Sequence, residues 1–399
     1  LAARFGHSTL QAKLLLCMEK YGIPRTTKTY RYMFSCMREN MELERALDTF
    51  SELKKLNIRP SALSYLDIIH LAVLVNQPLV AFDLLCSARH IEDYPGHDEF
   101  LYLSVLRSAA YNNEYGVIKT AWKEGVLKKG FKPDEGTCLH ILNIAGKQGD
   151  PRLSSAVIDY LGKNGFTYRE CHFQLLIESF AAKGDMKATF ELFHMMRTAG
   201  IIPTRKTVTP IIPIFVQDKN AIRNAKDALN KIANTEPEKL DITAFNLVIH
   251  VLTSKGEHDD ALSVLNQVYE LKLKPNSETL DAALDICIHD QNIPLGVTMY
   301  KNMISDGIQR TPSIMSKMVA LMCTSDDYED AFKYLEEMKQ LDMVPYRGSY
   351  YKLVKKLATF NDPRLSVALE DMDAYGYELS THLRRYIQRA EEELENKSV

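Results

Sequence analysis

Seven cysteines (Cys17, Cys36, Cys86, Cys138, Cys171, Cys287 and Cys323) and eleven histidines are the residues best suited to hold a metal or act as nucleophiles. Their spacing serves neither chemistry. The cysteines are odd in number and scattered, with no Cys-x-x-Cys pair, and read as buried thiols in a reducing compartment rather than as a disulfide framework or zinc site. The histidines stand singly, and His140, His172 and His250 fall within helical stretches, where they read as core or groove residues. Carboxylates gather at Asp259-Asp260 and at Asp326-Asp327 with Glu329-Asp330, but each group opens a helix, where negative charge complements the helix dipole. A two-metal nuclease centre needs carboxylates converging in one pocket. Gly-x-Gly-x-x-Gly, a phosphate-binding loop and His-Glu-x-x-His are all missing. The sequence reads as non-catalytic, with no cofactor. What remains is a series of cations, Lys28, Arg31, Arg38, Lys147, Lys183, Lys206, Lys255, Lys317 and Lys352. Such side chains neutralise phosphate without reading sequence, although any one of them alone reads first as a solvated turn residue.

The elements that carry these residues follow a ruler. Loops ending in Pro recur at Asn57-Ile58-Arg59-Pro60-Ser61, Gly130-Phe131-Lys132-Pro133-Asp134, Gly200-Ile201-Ile202-Pro203-Thr204, Leu273-Lys274-Pro275-Asn276 and Met343-Val344-Pro345-Tyr346. Pro133 to Pro203 and Pro275 to Pro345 are each 70 residues, twice 35. A fixed period of this size marks stacked supersecondary units. Length agrees, because one compact core stops growing near 250–300 residues and this chain has 399. A formal net charge of −3 argues against attachment to nucleic acid by bulk charge, while leaving room for a local basic groove. No apolar run reaches the roughly 18 residues of a membrane-spanning helix. The sequence opens at Leu1 without Met, so a processed or trimmed chain is expected, with any targeting peptide out of view.

Anchored on the Pro loops, the units run 27–61, 62–96, 97–134, 135–169, 170–204, 205–241, 242–276, 277–311, 312–346 and 347–380, after a partial repeat over 1–26. A capping helix and tail occupy 381–399, with Leu383 and Ile387 on one face. Each unit reads as two helices in a hairpin. In 170–204, Lys183-Gly184-Asp185 makes the turn, Gly200 caps the second helix and Pro203 blocks its continuation. Second helices share a register: small residues (Ala46, Ala81, Ala261, Gly296, Ala331), then bulky ones four on (Phe50, Phe193, Leu265, Tyr300, Leu335), then Leu53, Met196, Val268, Met303 and Met338 three further. That spacing places all three on one helix face, as core. An echo supports the phase, since Asp150-Pro151-Arg152-Leu153-Ser154 returns as Asp362-Pro363-Arg364-Leu365-Ser366.

In detail the units depart from tetratricopeptide repeats, which carry Trp and Leu-Gly-x-x-Tyr; this chain has one Trp, Trp122. They open with Thr29-Tyr30-Arg31, Ser64-Tyr65-Leu66, Ala244-Phe245-Asn246 and Ser349-Tyr350-Tyr351, and close with the Pro loops above. In both respects the chain resembles the pentatricopeptide-repeat family over nearly its whole length. The resemblance implies an all-α fold, a right-handed α-solenoid superhelix of about ten 35-residue helix-turn-helix repeats. Its first helices would line a groove for single-stranded RNA, each repeat reading about one base through two or three side chains, chiefly its fifth and last residues.

Carried onto this sequence, the resemblance pairs Asn246 with Asn276, for a pyrimidine and preferably cytosine, and Thr209 with Asp241, for guanine. Elsewhere the pairs depart from the family pattern: Arg31 with Ser61, Leu66 with Gly96, Leu139 with Arg169, Gln174 with Thr204, Asp281 with Thr311 and Ser316 with Tyr346. Leu offers a base no hydrogen bond, whereas Arg or Tyr suits stacking or phosphate contact. The candidate RNA-binding residues are thus Asn246, Asn276, Thr209, Asp241, Arg31, Lys28, Lys206 and Ser316. The expected function is a non-catalytic organellar RNA-binding factor, mitochondrial (matrix) or alternatively of the chloroplast, supporting transcript stability, processing or translation. The alternative is a scaffold docked on the mitochondrial ribosome or another assembly through protein or rRNA contacts.

Overall fold

The computed structural model describes residues 3, 5–91, 98–218 and 220–398. The junction expected between 62–96 and 97–134, with Gly96, and the extreme terminal residues of the expected N-terminal repeat and tail lie outside the described residues. Among the described residues the protein is all-α, without a strand. Its helices fall into two compact units, Leu1–Lys183 and Gly184–Val399.

In the first unit lie α1 (Ser8–Lys20), α2 (Thr27–Glu39), α3 (Leu43–Lys55), α4 (Ala62–Leu74), α5 (Pro78–Ser87), α6 (Glu99–Tyr111), α7 (Tyr115–Ala121), α8 (Glu135–Gln148), α9 (Pro151–Lys163) and α10 (Glu170–Ala182). The second unit holds α11 (Met186–Thr198), α12 (Arg205–Val208), α13 (Ile212–Gln217), α14 (Ala221–Thr235), α15 (Ile242–Ser254), α16 (His258–Glu270) and α17 (Ser277–His289). It continues with α18 (Ile293–Ser305), α19 (Pro312–Met322), α20 (Glu329–Gln340), α21 (Arg347–Thr359), α22 (Leu365–Ala374) and α23 (Thr381–Ser398).

The Pro loops owe their form to the carbonyls left over at a helix end. After α3, Asn57 turns left-handed (φ 53°). The Ile58 amide then reaches back to the Leu53 carbonyl at 3.0 Å and the Asn57 amide to that of Lys54 at 3.2 Å, a Schellman closure. The same pair of bonds follows α11 at Gly200 and Ile201, α18 at Gly307 and Ile308, and α20 at Asp342 and Met343. Each closure sets an apolar residue beside the helix it ends; Ile308 and Met343 pack on the core that holds Met303 and Met338. After α3, α11 and α20, Pro two residues on (Pro60, Pro203, Pro345) prevents helix, whereas after α18 Arg310 stands there and Pro312 opens α19; the residue between loop and helix is in each case the N-cap. Ser61 accepts from the Ser64 amide at 3.2 Å, and Thr311 from that of Ile314 at 3.3 Å.

Hairpins then stack on their neighbours. The helices α2, α4, α6, α8 and α10 pack in series in the first unit, and α15, α17, α19, α21 and α23 in the second. Within each unit, second helices such as α3 and α16 pack on their own first helix and lean on the next, α3 on α4 and α16 on α17. The register read from the sequence is the seam: Ala46, Ala261 and Ala331 are fully buried, as are Phe193, Leu265, Met196, Val268 and Met338. Each of the larger side chains contributes on the order of 1.5–3 kcal/mol by burial. The Asp-Pro echo has a structural cause as well. Asp150 accepts from the Tyr115 hydroxyl at 2.6 Å and Asp362 from that of Tyr328 at 2.9 Å, so each aspartate ties its turn to the preceding hairpin.

Two units depart from the ruler for separate reasons. α7 continues as a π-helical turn over Trp122–Lys128, and there Gly125 lies beneath the Tyr102 ring, which is fixed by its bond to the Ala121 carbonyl at 3.2 Å. In 205–241, Pro210 and Pro213 split the first helix into α12 and α13.

A Cβ on Gly125 would sit 2.2 Å from a Tyr102 ring carbon, whereas one on Gly116 in α7 meets nothing within 4 Å. Gly125→Ala is expected to destabilise the first unit by about 1–3 kcal/mol, and Gly116→Ala to leave it unchanged or up to about 1 kcal/mol more stable. Amide hydrogen exchange across α6–α9 reads both.

Candidate functional site

The first helices of the second unit line two adjoining cavities. One of about 550 Å³ is lined by Arg205, Asn246, His250, Glu278, Asp281 and Lys317, among others. The other, of about 790 Å³, is lined by Lys317, Tyr346, Lys352, Lys355, Lys356 and Tyr386, among others. Asp285, Ser313, Lys317 and Tyr346 belong to both.

Of the residues singled out from sequence, Asn246 and Asn276 are brought together. Asn246 projects from α15 with 6% of its surface exposed, and its Nδ2 donates to Asn276 Oδ1 at 3.0 Å. Asn276 is the N-cap of α17, and its Oδ1 also accepts from the Thr279 amide at 2.9 Å. The Thr279 hydroxyl donates to Asn246 Oδ1 at 2.8 Å. Both amide oxygens are thereby engaged within the protein, and the valence left open on Asn276 is its Nδ2 donor pair. The site therefore offers donors to a ligand.

The other candidates sit differently. Asp241 caps α15, accepts from the Thr243 amide at 2.8 Å and pairs with the Arg197 guanidinium; it is buried. The Thr209 hydroxyl donates to the Arg205 carbonyl at 2.7 Å. Ser316 is buried, and its Oγ accepts from the Tyr346 amide at 3.1 Å. Lys206 is exposed on the first turn of α12, and Lys28 and Arg31 are exposed on α2 in the first unit.

The two cavities differ in charge. Glu278, Asp281 and Asp285 recur at helical spacing along α17, and Lys317 is held between Asp281 (2.5 Å) and Asp285 (2.7 Å). Burial pushes the Glu278 carboxyl above its ordinary range, opposed by a hydrogen bond from Asn246 and the field of Arg205. Burial likewise pushes the His250 imidazole down, against the raising field of Asp285. In the larger cavity, Lys356 pairs with Asp326 at 3.0 Å. Lys355 lies between the rings of Tyr351 and Tyr386, at 4.7 and 4.8 Å. Lys352 is open to solvent on one side and ringed by protein on the others, which pushes its ammonium down. It makes no ion pair with any described residue. Glu278, Lys355 and Tyr386 escaped the reading of the sequence. The spacing of Glu278 from Asp281 and Asp285 was a usable signal for the first; nothing local marks Tyr386, whose place depends on how α23 docks.

Comparison with known proteins bears on the same elements. A family model described as "Pentatricopeptide repeat-containing protein" matches residues 135–268, and one described as "PPR repeat" matches 314–343. Over those residues the chain is similar to pentatricopeptide-repeat proteins. A mitochondrial pentatricopeptide repeat-containing protein of Arabidopsis thaliana is 23% identical to it over 279 residues, covering 62% of this chain and 43% of that one. A second Arabidopsis thaliana protein of the same description is 18% identical over 280 residues, covering 63% and 39%. The chain thus spans about two fifths of the length of these relatives. Among solved structures, the pentatricopeptide repeat protein PPR10 from maize aligns at 15% identity and a TM-score of 0.38, over 95% of this chain and 58% of that one. PPR10 in complex with an 18-nt psaJ RNA element aligns at 14% identity and 0.42, over 97% and 56%.

Because Asn276 serves as cap and as site residue, its loss has a structural cost. Asn276→Ala is expected to destabilise the second unit by about 1 kcal/mol, and Lys206→Ala to stay within about 0.5 kcal/mol of the parent. Chemical unfolding followed by hydrogen exchange at α17 checks both.

Proposed function

We propose that this chain is an RNA-binding factor that acts by occupancy, without catalysis, holding single-stranded RNA along the first helices of its repeats within an organelle. The Asn246–Asn276 pair carries the reading. Its open donors suit a pyrimidine edge with adjacent acceptors, such as O2 and N3 of cytosine, and it stands at the rim of a cavity that first helices line. Occupancy of a transcript would protect it, position it for processing or promote its translation. The mitochondrial relative supports the mitochondrion as the compartment, with the chloroplast as the alternative that fractionation separates. One observation favours a second reading. The carboxylates of α17 repel phosphate, which suits a scaffold docked on a ribosome or other assembly through protein contacts.

Ultraviolet crosslinking in cells, with sequencing of the attached RNA, separates the two. A footprint of about ten nucleotides on one organellar transcript, near one base per repeat, supports the first reading; crosslinks confined to rRNA, or none, support the second.

Two in vitro outcomes are expected of RNA oligomers. Asn276→Asp keeps the cap but replaces the open donors by acceptors, so preference for cytosine over other bases at the matching position should fall by about tenfold, the worth of one bidentate contact. Glu278, whose carboxyl titrates higher than usual, loses its charge early as pH falls, and His250 gains charge later; both changes favour a polyanion. Affinity should therefore rise between pH 7.5 and 5, by about fivefold for one unit charge worth roughly 1 kcal/mol. Glu278→Gln should flatten most of that rise. Fluorescence anisotropy across the pH range reads it.

A further inference from the structure

We propose that the 790 Å³ cavity over α19, α21 and α23 is a sequence-independent anchor for the RNA strand. In it, Tyr346 stacks a base, while Lys352 and Lys355 take the flanking phosphates. The proposal rests on the RNA-binding reading above and says where along the groove the backbone is gripped rather than read.

The first observation is that the reading positions of this repeat are already spent. Ser316 is 3% exposed; its Oγ accepts the Tyr346 amide at 3.1 Å, and its carbonyl accepts the Ser349 hydroxyl at 2.9 Å. It has no edge to show a base. The side chain of residue 346 is not engaged as a cap either. Asn276 and Thr311 cap the next helix with their own side chains, whereas Tyr346 makes no such bond, and its amide is satisfied by Ser316. A large aromatic side chain can then stand at the cap position. The residue is 51% exposed and lines both cavities. An exposed ring in a groove stacks on the face of any base, without selecting among them.

The second observation is a pair of lysines outside any direct ion pair among the described residues, in a cavity that Asp285 and Asp326 also line. Lys317 and Lys356 have carboxylate partners. Lys352 has no ion-pair partner among the described residues, and Lys355 is held by rings, which fix its position and leave its charge available. The holding is rigid: Tyr386 and Thr359 share a hydrogen bond at 2.9 Å, and the Tyr351 hydroxyl meets His382 Nδ1 at 2.8 Å. Cations fixed beside an exposed ring are the composition of a site for single strands of any sequence. The neighbouring cavity adds Glu278 and Asp281 to the Asp285 that both share, so backbone grip falls to the larger cavity and base reading to the repeat 242–276.

The test uses the full chain and 12-nucleotide homopolymers of uridine, cytidine and adenosine, with affinity measured over a range of salt. Tyr346→Ala is expected to weaken all three by the same factor, about tenfold for one lost base–ring stack, and Tyr346→Phe to retain binding. Lys352→Ala with Lys355→Ala should lower the slope of log affinity against log salt by about 1.4, the share of two single-strand phosphates. Unequal losses among the homopolymers on Tyr346→Ala would show that the tyrosine reads sequence, and would overturn the anchor. Unchanged affinity and slope in every variant would overturn it too and leave the cavity to a protein partner, with RNA binding elsewhere intact. Failure of the unaltered chain to bind any oligomer would remove the RNA reading and the anchor together.

Discussion

Short helices have many ends, and satisfying those ends is the constraint on which this protein depends. A helix of about thirteen residues leaves four amides and four carbonyls without intrahelical partners, close to a third of its backbone polar groups. An array of such helices cannot leave so many groups to water at the seams between hairpins. The Schellman closure and the side-chain cap answer this within five residues, at Asn57–Ser61 and again at Gly200–Thr204. They also fix the angle at which one hairpin hands over to the next. Period, packing and groove follow from that joint.

The candidate site inherits the constraint. At Ser61, Thr204, Asp241, Asn276 and Thr311 the last residue of a repeat is the N-cap of the following helix and its side chain accepts an amide, so it can meet a ligand only with what that bond leaves over. Asn276 manages both because its oxygen caps and its nitrogen is left over. Asp241 does not have that freedom, since its two oxygens are divided between the Thr243 amide and Arg197. Tyr346 caps nothing with its side chain, and its own amide donates to the buried Ser316 Oγ. How hydrogen-bond valence is shared at the joints thus decides which of these positions keep a donor or acceptor for a ligand, more than the residue types at two positions do.

Much of this was legible in the sequence because the joints are local. Gly or Asn before an apolar residue and Pro is a pattern of adjacent residues, and the seam of Ala46, Phe50 and Leu53 is a pattern within two helical turns. The pairing of Asn246 with Asn276 came from the family resemblance, and the structure places the two amides in contact. What stayed hidden depends on contacts across hairpins. Arg197 reaches Asp241 over 44 residues, and Lys355 finds Tyr386 only because α23 docks beside α21. The excess length of 97–134 also gave no local sign of its cause: the π-helical turn exists where Gly125 admits the Tyr102 ring.

Within each unit a hairpin touches little beyond the hairpins before and after it. Such a chain is thermodynamically closer to a row of linked beads than to a droplet, and its stability is a sum of joints rather than a property of one core. Opening can start at a weak joint and stop at a strong one, so the molecule has a profile of melting along its length instead of a single melting temperature. A strand laid across several first helices would act as a splint, turning neighbours that open separately into a segment that opens together.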